Sequence, residues 1–236
     1  MLNFDIHRFG CVDSTNRLAA AGKPGEVFVA EEQTAGRGRL DHRWHSRPGE
    51  NLLMSVVLEV TGISPVEVAT LPLIVGFTVV KAIEDLSRSF TPTLKCLLKW
   101  PNDIYVNSRK LCGILCERHD DNVVVGIGIN VRQREFPDEL RMKATSLVNE
   151  GIGASVVEVL NAVLRSLDEV YDSWLRGGFA ALHSEFDKID FLKGREVSVV
   201  QTDDDLVPVH GICGGIASDG SLLVGETRIY AGEVRW

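Results

Sequence analysis

Residues 94–131 read LKCLLKWPNDIYVNSRKLCGILCERHDDNVVVGIGINV. Four short apolar runs lie in this stretch, at 94–100, 104–106, 110–118 and 122–131. Each is strand-length and bounded by turn residues, among them Asn107-Ser108 and Asp120-Asp121. Connections this short predict neighbouring, largely antiparallel strands. Further strands are expected at 27–32 (VFVAEE) and 52–60 (LLMSVVLEV). Residues 13–22 read as a short helix that Asp13 or Ser14 caps and Gly22 ends. Ser64 to Glu67 form a capping box with Pro65 at the first helical position, which predicts one helix running to about Ser89. Its apolar residues fall on nearly all sides, as in a helix buried between layers. A second box, Ser155 to Glu158, opens a helix expected to reach Leu175. Gly177-Gly178 interrupts it, and a further helix is expected over 179–189.

After Asp190 the texture changes to short strands between Asp- and Gly-rich turns, at 195–201, 206–218, 221–226 and 227–236. Strands so short and closely spaced suggest a small barrel. Fewer than 50 residues are marginal alone, so it is expected to dock on the rest. The expected class is α+β: a mixed sheet with helices over residues 1–189, then a small β-barrel over 190–236. The first part lacks the strand–helix alternation of a doubly wound nucleotide fold.

The chain has 236 residues with 44% hydrophobic and 25% charged content, ordinary for a globular protein. Its net charge of -8 and pI of about 5.3 argue against a surface built to grip nucleic acid. The five cysteines, Cys11, Cys96, Cys112, Cys116 and Cys213, fit no disulfide framework and no metal-ligand spacing. Buried thiols and a reducing, cytoplasmic setting are expected. The N-terminus lacks a signal-peptide core, and no window is apolar enough to span a membrane.

Five stretches carry chemistry. The loop Gly36-Arg37-Gly38-Arg39-Leu40-Asp41-His42-Arg43-Trp44-His45-Ser46-Arg47 concentrates four arginines in an acidic protein. The planar guanidinium fork matches phosphate or carboxylate, and glycine permits close approach of the backbone. Lys99-Trp100-Pro101-Asn102-Asp103 stops a strand at a Pro and holds an amide and an acid there. Lys110 starts the apolar strand Leu111-Cys112-Gly113-Ile114-Leu115, a position at the rim of a pocket. Gly126-Ile127-Gly128-Ile129-Asn130 begins like a dinucleotide fingerprint but fails it: Val131 replaces the third glycine and no helix follows. Ser14-Thr15-Asn16 opens a helix, where hydroxyls and free N–H groups suit a polar ligand. Taken singly, these also read as a charged turn, a Pro-Asn-Asp turn, a snorkelling lysine and a simple cap.

Together and in this order they resemble the biotin–protein ligase family. The likeness includes Glu32-Gln33-Thr34-Ala35 before the arginine loop and Ala231-Gly232-Glu233-Val234 near the end, and it covers essentially the whole chain. The GRGR and KWPND motifs are its most specific parts. The chain departs from the family at Asp41-His42, where members often have Gly-Arg, and at Ser46-Arg47, where they have Ser-Pro. Loop closure could differ there.

The resemblance implies a catalytic domain related to class II aminoacyl-tRNA synthetases, followed by an SH3-like barrel. It implies activation of biotin by ATP to biotinyl-5'-AMP, then transfer to a lysine of a biotin carboxyl carrier protein. Arg37, Arg39 and Lys110 would offset the repulsion between carboxylate and phosphate, with Asp103 as a base or orienter. Ser14, Thr15, Asn16, Gln33, Arg37, Gly38, Arg39 and Lys110 would hold biotin, and Gly113, Leu115 and Gly128 would line its apolar slot. Arg37, Arg39, Trp44, Lys99, Asn102, Lys110 and Asn130 would meet ATP. Mg²⁺ would arrive on the ATP phosphates, with no protein metal site. The family's repressors carry an N-terminal helix-turn-helix domain; the motifs here begin near residue 1, so no operator DNA binding is expected. A homodimer is compatible with the resemblance, and a membrane partner is not expected. The rival readings are a lipoate or octanoate ligase on a related fold and a non-catalytic biotin- or nucleotide-binding module.

Overall fold

The computed structural model describes residues 2–39, 42–90, 93–201 and 207–236. Its main sheet has the strand order β1-β2-β3-β7-β6-β5-β4. The strands are β1 (Asp5–Val12), β2 (Glu26–Gln33), β3 (Asn51–Glu59), β4 (Leu97–Lys99), β5 (Asp103–Val106), β6 (Arg109–His119) and β7 (Asn122–Asn130). Only β1 and β2 run parallel; every other pair is antiparallel. The stretch 94–131 thus forms adjacent hairpins, as its spacing predicts. Asn107 and Ser108 take φ of 49° and 61°, the left-handed pair of a tight two-residue hairpin turn.

β1 is the strand that pattern reading misses. Residues 5–12 alternate poorly, and the strand is half-exposed at the sheet edge, so no apolar face marks it. The helix expected over 64–89 is corrected to two, α2 (Pro65–Ala69) and α3 (Leu71–Ser87), which meet at Thr70. Pro72 has no N–H to continue the ladder, which ends the first segment. Thr70 stitches the joint: its hydroxyl donates to the Glu67 carbonyl (2.7 Å) and accepts from Trp174 Nε1 (3.2 Å). The short helix after Ser14 is α1 (Thr15–Ala19).

α4 (Val156–Gly177) begins at the expected capping box, with Ser155 and Glu158 bonded reciprocally. It ends at Gly178, whose φ is 64°. α5 (His183–Ile189) follows a short 3-10 turn. α3 and α4 pack together over one face of the sheet, burying Leu71, Ile74, Val79 and Ile83 against Val159, Val163 and Leu167.

The C-terminal strands form a second, antiparallel sheet of order β11-β10-β9-β8-β12: β8 (Glu196–Val200), β9 (Val209–Ile216), β10 (Leu222–Val224), β11 (Thr227–Ile229) and β12 (Glu233–Arg235). Leu206, at the start of an expected strand, lies outside the described residues. This sheet caps the β4 end of the main one. Phe191 N donates to the Leu98 carbonyl (3.0 Å), and Trp100 Nε1 to the Gly220 carbonyl (3.0 Å). Val197, Val199, Leu222 and Val234 join the same buried cluster as Leu98 and Ile104. An edge that would otherwise offer free backbone groups is covered. Among the described residues, no helix is long and apolar enough to cross a membrane.

The α4 capping box gives a stability test. Ser155→Ala removes a bond to an otherwise unpaired helical N–H and should cost about 1 kcal/mol, read as a lower urea midpoint at unchanged m-value.

Candidate active site

The floor of the site is a thin patch of sheet. Gly113 on β6 is the direct cross-strand partner of Gly128 on β7, and Leu115 partners Gly126. Two facing glycines leave a trough one side chain deep. The Trp44 indole lies in it: a Cβ built on Gly128 would come within 2.6 Å of the ring, and one on Gly113 within 3.0 Å. The indole Nε1 is shielded from solvent and has no hydrogen-bond partner among the described residues.

One wall is the start of α1. Ser14, Thr15 and Asn16 are all buried there. The Ser14 side chain makes no capping bond. Gln33 Oε1 accepts from Thr15 N (2.7 Å) and Thr15 Oγ1 (3.0 Å). Ser55, buried on β3, places its hydroxyl 2.7 Å from Thr15 Oγ1 and 2.6 Å from Asn16 Oδ1, with one proton between the two contacts. The result is a prearranged set of donors and acceptors without net charge.

A second wall is the arginine loop, which forms a hairpin. Gly38 N donates to the His42 carbonyl (2.6 Å) and Trp44 N to the Gly36 carbonyl (3.0 Å), with a bridge between Arg37 and Arg43. Leu40 and Asp41, including the first departure from the family pattern, lie outside the described residues. Arg39 reaches the second sheet, with Nη1 3.4 Å from the Gly232 carbonyl. Burial pushes its pKa down, and Asp103 and Glu233 oppose that. A guanidinium keeps its charge regardless.

The third side is the β4–β5 hairpin and the start of β6. Asp103 is the cross-strand partner of Lys99 on one side and Gly113 on the other. Asn102 is sewn to β6: its Nδ2 donates to the Ile114 carbonyl (2.6 Å), and its own carbonyl accepts from Ile114 N (3.0 Å). The β5–β6 register slips between Ile104 and Tyr105, leaving Leu111 as an extra residue. This bulge is why Lys110, three residues from Gly113, shares its face. Lys110 Nζ lies 2.7 Å from Asp103 Oδ1 and 5.8 Å from the centroid of the Trp44 ring. Burial lowers the pKa of Lys99, Asp103 raises it and Lys110 lowers it further.

These walls enclose a cavity of about 160 Å³, with Gly232, Glu233 and Val234 of the second sheet closing one end. Ser14, Thr15, Asn16, Gln33, Arg37, Gly38, Arg39, Trp44, Lys99, Asn102, Asp103, Lys110, Gly113, Leu115 and Gly128 all line it. Asn130 is placed elsewhere. It is buried, donates from Nδ2 to the Thr145 carbonyl (2.9 Å) and does not border the cavity. Sequence reading missed Ser55 and Glu117, and it left open whether the C-terminal part borders the site, as Gly232, Glu233 and Val234 do. Ser55 had a signal, the lone hydroxyl in the apolar run 52–58; Glu117 had none.

Among the described residues, the group with ligand atoms close enough to hold a metal is Asp5, His7 and Glu26. It belongs to the β1–β2 edge and lines no part of the cavity. His7 Nε2 stands 3.6 Å from Asp5 Oδ2 and 3.4 Å from Glu26 Oε1, ion-pair distances if the ring is protonated.

Known proteins share this arrangement. The model of the biotin/lipoate A/B protein ligase family matches residues 9–133. The bifunctional ligase/repressor BirA of Bacillus subtilis is 31% identical over 235 residues, 94% of this chain and 69% of that protein. The biotin protein ligase of Aquifex aeolicus, solved with biotin and ATP, superposes with a TM-score of 0.84 at 30% identity, covering 98% of this chain and 97% of that one. The Leishmania major enzyme, solved with biotinyl-5-AMP, gives a TM-score of 0.66 at 25% identity, covering 98% and 97%. The chain belongs to the biotin/lipoate A/B protein ligase family, and within it to the biotin–protein ligases.

The trough can be tested by filling it. Gly128→Ala places a methyl where the Trp44 ring lies, so the indole should leave the trough. A red-shifted tryptophan emission with an unchanged far-UV spectrum is the expected result; unaltered emission would place the ring elsewhere.

Proposed function

We propose that this chain joins biotin to ATP, forming biotinyl-5'-AMP and releasing pyrophosphate, and then passes the biotinyl group to a lysine of a biotin carboxyl carrier domain. The observation that carries this reading is the sorting of chemistry along one cavity. Uncharged hydrogen-bonding groups of Thr15, Asn16 and Gln33 gather at one end, with the buried Ser55 bonded to the first two. Arg39, Lys99 and Lys110 converge at the other. A biotin molecule has the same polarity, with a neutral ureido ring, an apolar thiophane and valeryl chain, and a terminal carboxylate. The Gly113–Gly128 trough suits the apolar part, with Trp44 shifting to lie over it.

In the first step a carboxylate oxygen attacks the α-phosphorus, and the bond to the bridging oxygen of pyrophosphate breaks. Both reactants are anionic. Fixed cations aimed at the phosphoryl oxygens offset that repulsion, more strongly in a partly dry cavity than in water. Lys110 is held at the rim by Asp103, 2.7 Å away, a restraint that does not depend on where Trp44 lies. Mg²⁺ would enter as part of the ATP substrate. Among the described residues the cavity offers Asp103 and Glu233 as carboxylates, and the first is already paired, so these two form no dedicated metal cage.

In the second step the carrier amine attacks the acyl carbon and AMP leaves. The amine must first lose a proton, and Asp103, at the cavity wall, is the group we assign to accept or orient it. Residues 190–236, taken as a second domain, close the nucleotide end through Gly232 and Glu233. The hairpin contact from Arg39 to Gly232 would keep water from the mixed anhydride.

Lys110→Ala should lower biotin-dependent ATP–pyrophosphate exchange by about 100-fold or more while leaving the melting temperature near wild type. Near-normal exchange would overturn the assignment, and exchange driven by lipoate instead of biotin would overturn the substrate. Arg39→Gly removes the bridge to Gly232. Its expected signature is early escape of biotinyl-5'-AMP in a single-turnover experiment, seen as labelling of bulk lysines.

A further inference from the structure

Arg37 lines the cavity, yet its guanidinium is already engaged. Nη2 lies 2.9 Å and 3.2 Å from the two carboxylate oxygens of Glu117. Glu117 follows Gly113 and Leu115 at two-residue steps on β6, so strand alternation carries it onto the same face. Its Oε2 also accepts from Asn16 Nδ2 at 2.6 Å. Asn16 donates further to the Leu115 carbonyl (3.3 Å). The room for that amide is provided by Gly126, where a Cβ would lie 2.2 Å from Asn16 Oδ1. A single carboxylate therefore ties the base of the arginine hairpin, the first turn of α1 and β6 to one another.

The charge pattern gives this knot a purpose. Glu117 pairs with Arg37, a hairpin arginine that it ties to Asn16 at the uncharged end of the cavity. Arg39, Lys99 and Lys110 stand at the anionic end, where Asp103 pairs with Lys110. Both partners are partly exposed, with side-chain accessibilities of 47% and 28%, so the ion pair contributes more to geometry than to stability.

We propose that Glu117 is a positioning residue for biotin recognition: it clamps Arg37 and Asn16 so that the ureido end of the site is preformed, without itself touching the reacting atoms. This rests on the biotin-ligase reading above. The test is steady-state ATP–pyrophosphate exchange in Glu117→Gln and Glu117→Ala. Glutamine keeps an acceptor for Asn16 but loses the ion pair; alanine loses both. The expected result for Glu117→Gln is a biotin KM raised about tenfold, with kcat and the KM for ATP within about twofold of wild type and an unshifted melting temperature. Alanine should raise the biotin KM further. Salt should raise the wild-type biotin KM toward the Glu117→Gln value while leaving that variant nearly unmoved. An unchanged or lowered biotin KM in Glu117→Gln, or a fall in kcat with KM constant, would overturn the proposal. Absence of biotin-dependent exchange in the wild type would instead overturn the parent reading, so the two failures are distinct.

Discussion

The cross-strand pairing of Gly113 with Gly128 is the constraint on which the site rests. Side chains at those two positions would stand on the sheet and fill the space where Trp44 now lies. Without them the backbone itself becomes the floor, and a flat ring can lie against it. Everything else is arranged around that thin patch: the buried polar turn of α1 on one side, the arginine hairpin over it, and the Lys110–Asp103 pair at its rim. The sheet supports this because β3, β7 and β6 are long, antiparallel neighbours, with α3 and α4 covering the opposite face. On one flank β3 is buried along nearly all its length.

The second consequence is electrical. An acidic protein builds a cationic cavity by drawing basic side chains from two segments far apart in sequence onto one trough. Three of the cations there have specific restraints. Lys110 is held by Asp103 and the Trp44 ring, Arg39 by the Gly232 carbonyl, and Arg37 by Glu117. Burial works against the charge on Lys99 and Arg39, and nearby carboxylates offset part of that cost. The second sheet belongs to this arrangement as much as the first, since Gly232 and Glu233 border the same space.

Much of this was legible because local rules are strong at particular residues. Asn107-Ser108 reads as a tight hairpin turn because few residue pairs tolerate left-handed backbone at both positions. Ser155 and Glu158 read as a helix start because their side chains meet the helix's own unpaired groups. The glycines of Gly126-Ile127-Gly128 read as a thinned strand because no helix follows them. Pattern reading failed where local signals are weak or compete. β1 has no clean apolar face, and Pro72 splits a helix that its flanking residues would continue. Asn130, expected to meet ATP, does not border the cavity and donates to the Thr145 carbonyl.

The sequence by itself determined most of the elements, though not β1 or the break at Thr70, along with the order of the antiparallel hairpins and the residue types of the site. Those follow from backbone sterics, side-chain periodicity and capping, which act over a few residues. Only the tertiary structure decided which of these groups meet. A bulge at Leu111 turns Lys110 onto the face of Gly113, and Glu117 finds Arg37 across 80 residues of chain. Gly232 comes to Arg39 across 193. Such pairings depend on register and on the docking of one sheet against another, which are set by the packing of the whole core and leave no trace in the spacing of the residues involved.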